Sequence, residues 1–190
     1  MGKRRLVIGF LLLAVVLFLA AALLYIRPAE NLDLQYSDIS WKDKLRHMAE
    51  TRKAELTLSE QELNQLAKRE LNEYIAEHTL PVQITGAEFH LNGEHLTADL
   101  NLAWGALDAG VAADYRMEYT GGGLTLTPES LAVRNLSLTP DAFGLEPIVI
   151  DFGTYLPDIV EVKDMSFPGK SVKMEFALDW LEVARYLDLL

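Results

Sequence analysis

Residues 88–104 read EFHLNGEHLTADLNLAW. Phe89 and Leu91 alternate with Glu88 and His90, and Leu96, Ala98, Leu100, Leu102 and Trp104 alternate with Thr97, Asp99 and Asn101. A period of two is the signature of strands with one covered and one wet face. Asn92-Gly93 between the runs is the strongest short signal for a β-hairpin. A two-residue Asn92-Gly93 turn would set Leu91 opposite Glu94 and His90 opposite His95. This hairpin fixes the fold class, because it starts a series of alternating segments rather than a helical array.

The alternation continues outward. Val111, Ala113, Tyr115, Met117 and Tyr119 alternate with Asp114, Arg116 and Glu118, and Gly121 to Gly123 make the next turn. Leu124, Leu126, Leu131, Val133, Leu136 and Leu138 carry the pattern on. Pro168-Gly169 joins two further strands, 159–167 and 171–179, and 141–155 and 180–190 are predicted as short helices. On the N-terminal side the period becomes 3.6. Ser59 with Glu62 is a capping box, and Leu63, Leu66, Ala67, Leu71, Tyr74 and Ile75 form one stripe through Glu77. A weaker helix starts at Trp41 with Ser40 as N-cap. The predicted architecture is α+β: an amphipathic helix packed on a curved antiparallel β-meander.

The first 39 residues are of another kind. Lys3, Arg4 and Arg5 precede an uncharged run from Leu6 to Ile26, closed by Arg27 and Pro28. Its length, roughly 31 Å as a helix, suits a bilayer. The expected organisation is a cytoplasmic basic tail (1–5), a transmembrane helix (6–26), a juxtamembrane linker (27–39) and an extracytoplasmic α+β domain (40–190), oriented by the positive-inside rule. The rival is a cleaved signal peptide with Ala20 to Ala22 as its cleavage site, against which stands the run's continuation to Ile26.

The chain has 190 residues, a net charge of -11 and no cysteine. The negative charge argues against a nucleic-acid partner. The absence of cysteine excludes disulfides, thiolate metal sites and cysteine nucleophiles. Gly169-Lys170-Ser171 imitates the end of a phosphate loop, but Asp164 stands where its first glycine is needed. Glu88, Asp99, Asp114 and Glu118 read as solvated cross-strand charges rather than a catalytic pair. His90 and His95 supply two ligands, too few for a metal site. No catalytic, cofactor-binding or metal-binding residue is assigned, and no cofactor is expected.

The anchor, the segment Leu56-Thr57-Leu58-Ser59-Glu60-Gln61-Glu62-Leu63-Asn64, the Gly-rich turn before Leu124-Thr125-Leu126, the Leu136-Ser137-Leu138-Thr139-Pro140 segment and Tyr155-Leu156-Pro157 together resemble the YpmS-like family (DUF2140), membrane-anchored proteins of Gram-positive bacteria. The resemblance covers most of the chain after Ala54, and neither 38–53 nor the acidic C-terminal helix matches it. It implies a bacterial, membrane-anchored, non-enzymatic protein and offers no catalytic residues to carry over.

The resulting expectation is a single-pass interaction or accessory module of the cell envelope, with the membrane and an envelope protein or lipid as partners. The alternative is a domain binding a lipid or other hydrophobic ligand in a groove formed by Trp104, Tyr115, Met117 and Tyr119. A hydrolase without a recognisable motif is the third reading. The discriminator between the first two is whether helix 59–77 covers the sheet's apolar face.

Overall fold

The computed structural model describes residues 2–120, 123–151 and 160–186, with backbone alone for 2–12, 142, 143, 182, 184 and 186. The fold is α+β with antiparallel pairing throughout the described strands. In order along the chain come α1 (Gly2–Ile26), α2 (Trp41–Thr51), β1 (Glu55–Ser59), α3 (Glu60–Glu77), β2 (Gln83–Asn92), β3 (His95–Trp104), β4 (Leu107–Thr120), β5 (Gly123–Val133) and β6 (Leu136–Leu138). A 3-10 turn (Pro140–Phe143), β7 (Ile148–Asp151), β8 (Val160–Ser166), β9 (Ser171–Leu178) and α4 (Trp180–Tyr186) complete it.

Two sheets replace the single meander expected. The larger runs β2-β3-β4-β5-β6, with β7 also on β5. The smaller runs β1-β9-β8. Leu56 and Leu58 explain why β1 exists: they alternate inward over only five residues and are buried beside Val172 and Met174 of β9. The segment 141–155 is not a helix where it is described. Its first turn is 3-10 and 148–151 is a strand, while 152–159 lies outside the described residues. Of the predicted terminal helix, Trp180–Tyr186 is helical and the rest lies outside the described residues.

The two sheets share one core. Leu91, Leu96, Met117, Leu124 and Leu126 of the large sheet pack in one cluster with Val160, Val162, Met165, Val172, Met174 and Phe176 of the small one. Leu45 and Met48 of α2 and Val183 of α4 close it. Tyr119 Oη donates to the Val162 carbonyl at 2.7 Å, a direct tie between the sheets. At the turns, Gly93 N donates to Gly169 O at 2.8 Å.

The hairpin is offset from the expected register. Leu91 lies opposite Leu96, Asn92 opposite His95, and Gly93-Glu94 form the turn, with Gly93 at φ 60°. This register pairs two buried leucines, a stronger constraint than the preference of Asn92 for a turn position. His90 consequently faces Thr97, not His95.

The placement as a single-pass membrane protein is corrected. Among the described residues no helix is long and apolar enough to cross a membrane. The transmembrane span, the cytoplasmic N-terminus and the extracytoplasmic domain drop out together with it. Residues 27–34 lie against the large sheet, with bends at Arg27, Ala29 and Glu30.

Candidate functional site: an apolar half-sheet beside an edge-on helix

The site follows from how α3 is seated. The capping box forms as the sequence predicts, with Glu62 N donating to Ser59 Oγ at 3.3 Å and Ser59 N donating to Glu62 Oε2 at 3.0 Å. From this fixed start, Glu60, Asn64, Lys68 and Asn72 recur every fourth residue and form a polar stripe. Glu60 Oε2 accepts from Leu91 N at 2.8 Å and Asn64 Oδ1 from Phe89 N at 3.1 Å. Ala87 N donates to the Asp33 carbonyl at 3.1 Å. The N–H groups of Ala87, Phe89 and Leu91 on edge strand β2 are thereby satisfied by side chains and by the preceding segment, which blocks strand addition along that stretch.

Seated along the edge, α3 does not lie across the sheet. Leu63 and Leu66 reach the core, whereas Tyr74 is 50% exposed and stacks on His78 with ring centroids 4.1 Å apart. Lys68 is the buried residue of this helix. The stripe read from the sequence is therefore only partly used.

The apolar face of the large sheet divides accordingly. Cross-strand partners share a face, so Leu91–Leu96–Tyr115 form one row and Phe89–Ala98–Ala113 the next. These rows meet the small sheet and helices in the core or are themselves buried. Farther along, Leu100–Val111 and Ile84–Leu102–Ala109 are half-buried and lie outside the core cluster. The last row, Trp104–Leu107, is exposed, Trp104 at 69%. Ile84 and Trp104 also line a cleft of about 370 Å³ with Ile75, His78, Leu80 and Val82. No charged side chain lines it, histidine aside. His78 Nδ1 lies 3.0 Å from the Tyr74 carbonyl. A carbonyl can only accept, so Nδ1 carries the proton and Nε2 of the neutral ring is an acceptor.

The four residues expected to form a groove do not come together. Met117 is buried at 2% exposure, and Tyr115 and Tyr119 pack against the core. Burial raises the pKa of both tyrosines. Trp104 alone of the four borders open apolar surface. Sequence reasoning places Ile75 in the helical stripe but assigns neither Leu80 nor Ile84 to a site, because the chain from 78 to 82 lacks periodicity. A feature that could have pointed to them is the apolar pairing of Leu80 and Val82 around Pro81.

The opposite face is polar. His90 Nε2 lies 3.5 Å from Asp99 Oδ2, and His95 Nδ1 3.1 Å from Glu129 Oε2. Arg116 Nε donates to Glu129 Oε1 at 2.7 Å and holds that carboxyl below the usual range. Thr97 Oγ1 and Ser130 Oγ donate to the two oxygens of Asp114. Burial pushes Asp99 up, with Glu88, Asp114 and Glu30 adding to the shift. Each histidine thus has its own carboxylate. Among the described residues, no group of three or more His, Asp or Glu could hold a metal ion.

Comparison with family models, with curated proteins and with solved structures gives no match to this chain.

Proposed function

We propose that this chain is a non-catalytic binding module whose ligand is an uncharged, elongated apolar chain of acyl type. One observation carries the reading: α3 is bound to the edge of β2 by its polar stripe, and the apolar rows beyond Phe89–Ala98–Ala113 stay outside the core, with Leu100, Val111, Ile84 and Leu102 only half-buried. The adjoining cleft of about 370 Å³ falls at the small end of ligand-site volumes. Its lining carries no Asp, Glu, Lys or Arg side chain, which suits an apolar occupant. The resemblance to the YpmS-like family, which offers no catalytic residues to carry over, supports the same reading. An accessory role in which the ligand is carried or sensed is compatible with this site.

The test is quenching of Trp104 emission by a brominated acyl chain, in the full-length protein with Trp41→Phe and Trp180→Phe. Saturable quenching that Ile84→Arg abolishes is expected. Trp104 emission unchanged at saturating brominated chain refutes the reading.

A further inference from the structure

We infer that residues 27–34 occupy a main-chain acceptor site built into the wet face and edge of the large sheet. The recognition is of main chain. The carbonyl of Arg27 accepts from Arg134 Nη2 at 2.9 Å, and that of Glu30 from Asn101 Nδ2 at 2.9 Å. The Asp33 carbonyl accepts from Ala87 N at 3.1 Å, and the Leu34 carbonyl from Asn72 Nδ2 at 2.9 Å. Four donors from β5–β6, β3, β2 and α3 thus read four carbonyls of one segment. A single ion pair, Lys68 Nζ to Asp33 Oδ1 at 3.2 Å, adds side-chain selection.

The sheet is shaped to admit this segment. Gly86, Asn101 and Gly110 are cross-strand partners and form one row on the wet face. A Cβ on Gly86 would overlap the Leu32 carbonyl. One on Gly110 would stand 2.9 Å from Pro28 Cα. Neither glycine has positive φ, so backbone torsion does not demand glycine at these positions; the closeness of the passing chain does. Asn101 is 7% exposed in this row, and its amide serves a carbonyl rather than water.

An acceptor that reads carbonyls is indifferent to most side chains, and the occupant is selected by connection. Here it is the chain's own segment, held in cis, which follows α1 directly and fixes where that helix leaves the sheet. The same chemistry would accept this segment from a second copy.

Gly110→Val in the full-length chain sets a larger side chain where Pro28 passes and is expected to speed cleavage after Glu30 by a glutamate-specific protease several-fold, with circular dichroism unchanged. Unchanged cleavage overturns the proposal. Independently, Gly86→Val is expected to lower hydrogen-exchange protection of the Ala87 amide on the order of tenfold while Phe89 and Leu91 stay protected by α3. Unchanged protection at Ala87 also overturns it.

Discussion

The Lys68 ammonium meets the Asp33 carboxylate at 3.2 Å, with the lysine 8% exposed on α3 and the aspartate side chain largely open to water. The asymmetry sets the consequence of removing either partner. Asp33→Asn leaves an ammonium enclosed without its counter-charge, whereas Lys68→Met leaves a carboxylate that water and the Gln35 amide still serve. Thermal denaturation is expected to rank Asp33→Asn below Lys68→Met, with the double variant close to Lys68→Met. The opposite ranking would show that the pair is not desolvated.

Asn101 gives a second test. Its position in the alternation makes it a wet-face residue that should accept Asp freely. In the fold it is buried beneath residues 27–34 and donates to Glu30 O. Asn101→Asp replaces that donor with a repelled acceptor, and a loss of about 1–3 kcal/mol is expected in urea denaturation. Thr127→Asp, exposed and opposite Arg116, should stay within about 0.5 kcal/mol of the parent.

Met117 and Trp104 separate core from site. Met117→Ala should cost about 2–5 kcal/mol, the range for a truncated core side chain. Trp104→Ala should change stability by less than about 1 kcal/mol because the ring is mostly exposed. Yet it should weaken acyl-chain binding, measured by calorimetry. A large stability loss at Trp104 would place it in the core and remove the site.

Acid should unfold the protein through identified carboxylates. The Gln35 amide and Lys68 hold Asp33 low, the Leu91 amide and Lys170 hold Glu60 low, and Arg116 holds Glu129 low. In the window below about pH 4 the unfolded chain binds more protons at these groups, so stability is present above the ordinary carboxylate pKa and is lost as pH falls. Asp99 runs the other way. Burial raises it, so its charged form opposes folding at neutral pH. Asp99→Asn should therefore raise the urea midpoint at pH 7, and the gain should vanish by about pH 3.

What the sequence disclosed was local. The capping box at Ser59, the N-cap at Ser40 and the β2–β3 hairpin depend on residues within a few positions of one another, and each forms. The division into two sheets depends on β1 crossing to β9, a partner more than 100 residues away that no periodicity announces. The hairpin slipped because core pairing of Leu91 with Leu96 outweighed turn preference. For the site, period two placed Trp104, Tyr115, Met117 and Tyr119 on one face and did so correctly, but a face is longer than a groove. The small sheet covers one end of it. The sign of α3's edge-on seating was present in Glu60, Asn64, Lys68 and Asn72, whose spacing defines a polar stripe beside the apolar one.

The shared core also bears on oxidative damage. Of five methionines, Met48, Met117, Met165 and Met174 are buried there, each at 7% exposure or less, and Met1 is the other. With no thiol present, the sulfur targets other than Met1 lie inside the core enclosed by the native fold. Sulfoxide formation at these four positions then requires opening of the core, and the reverse holds as well: one oxygen added to Met117 would set a polar group among leucines and keep the two sheets from closing again.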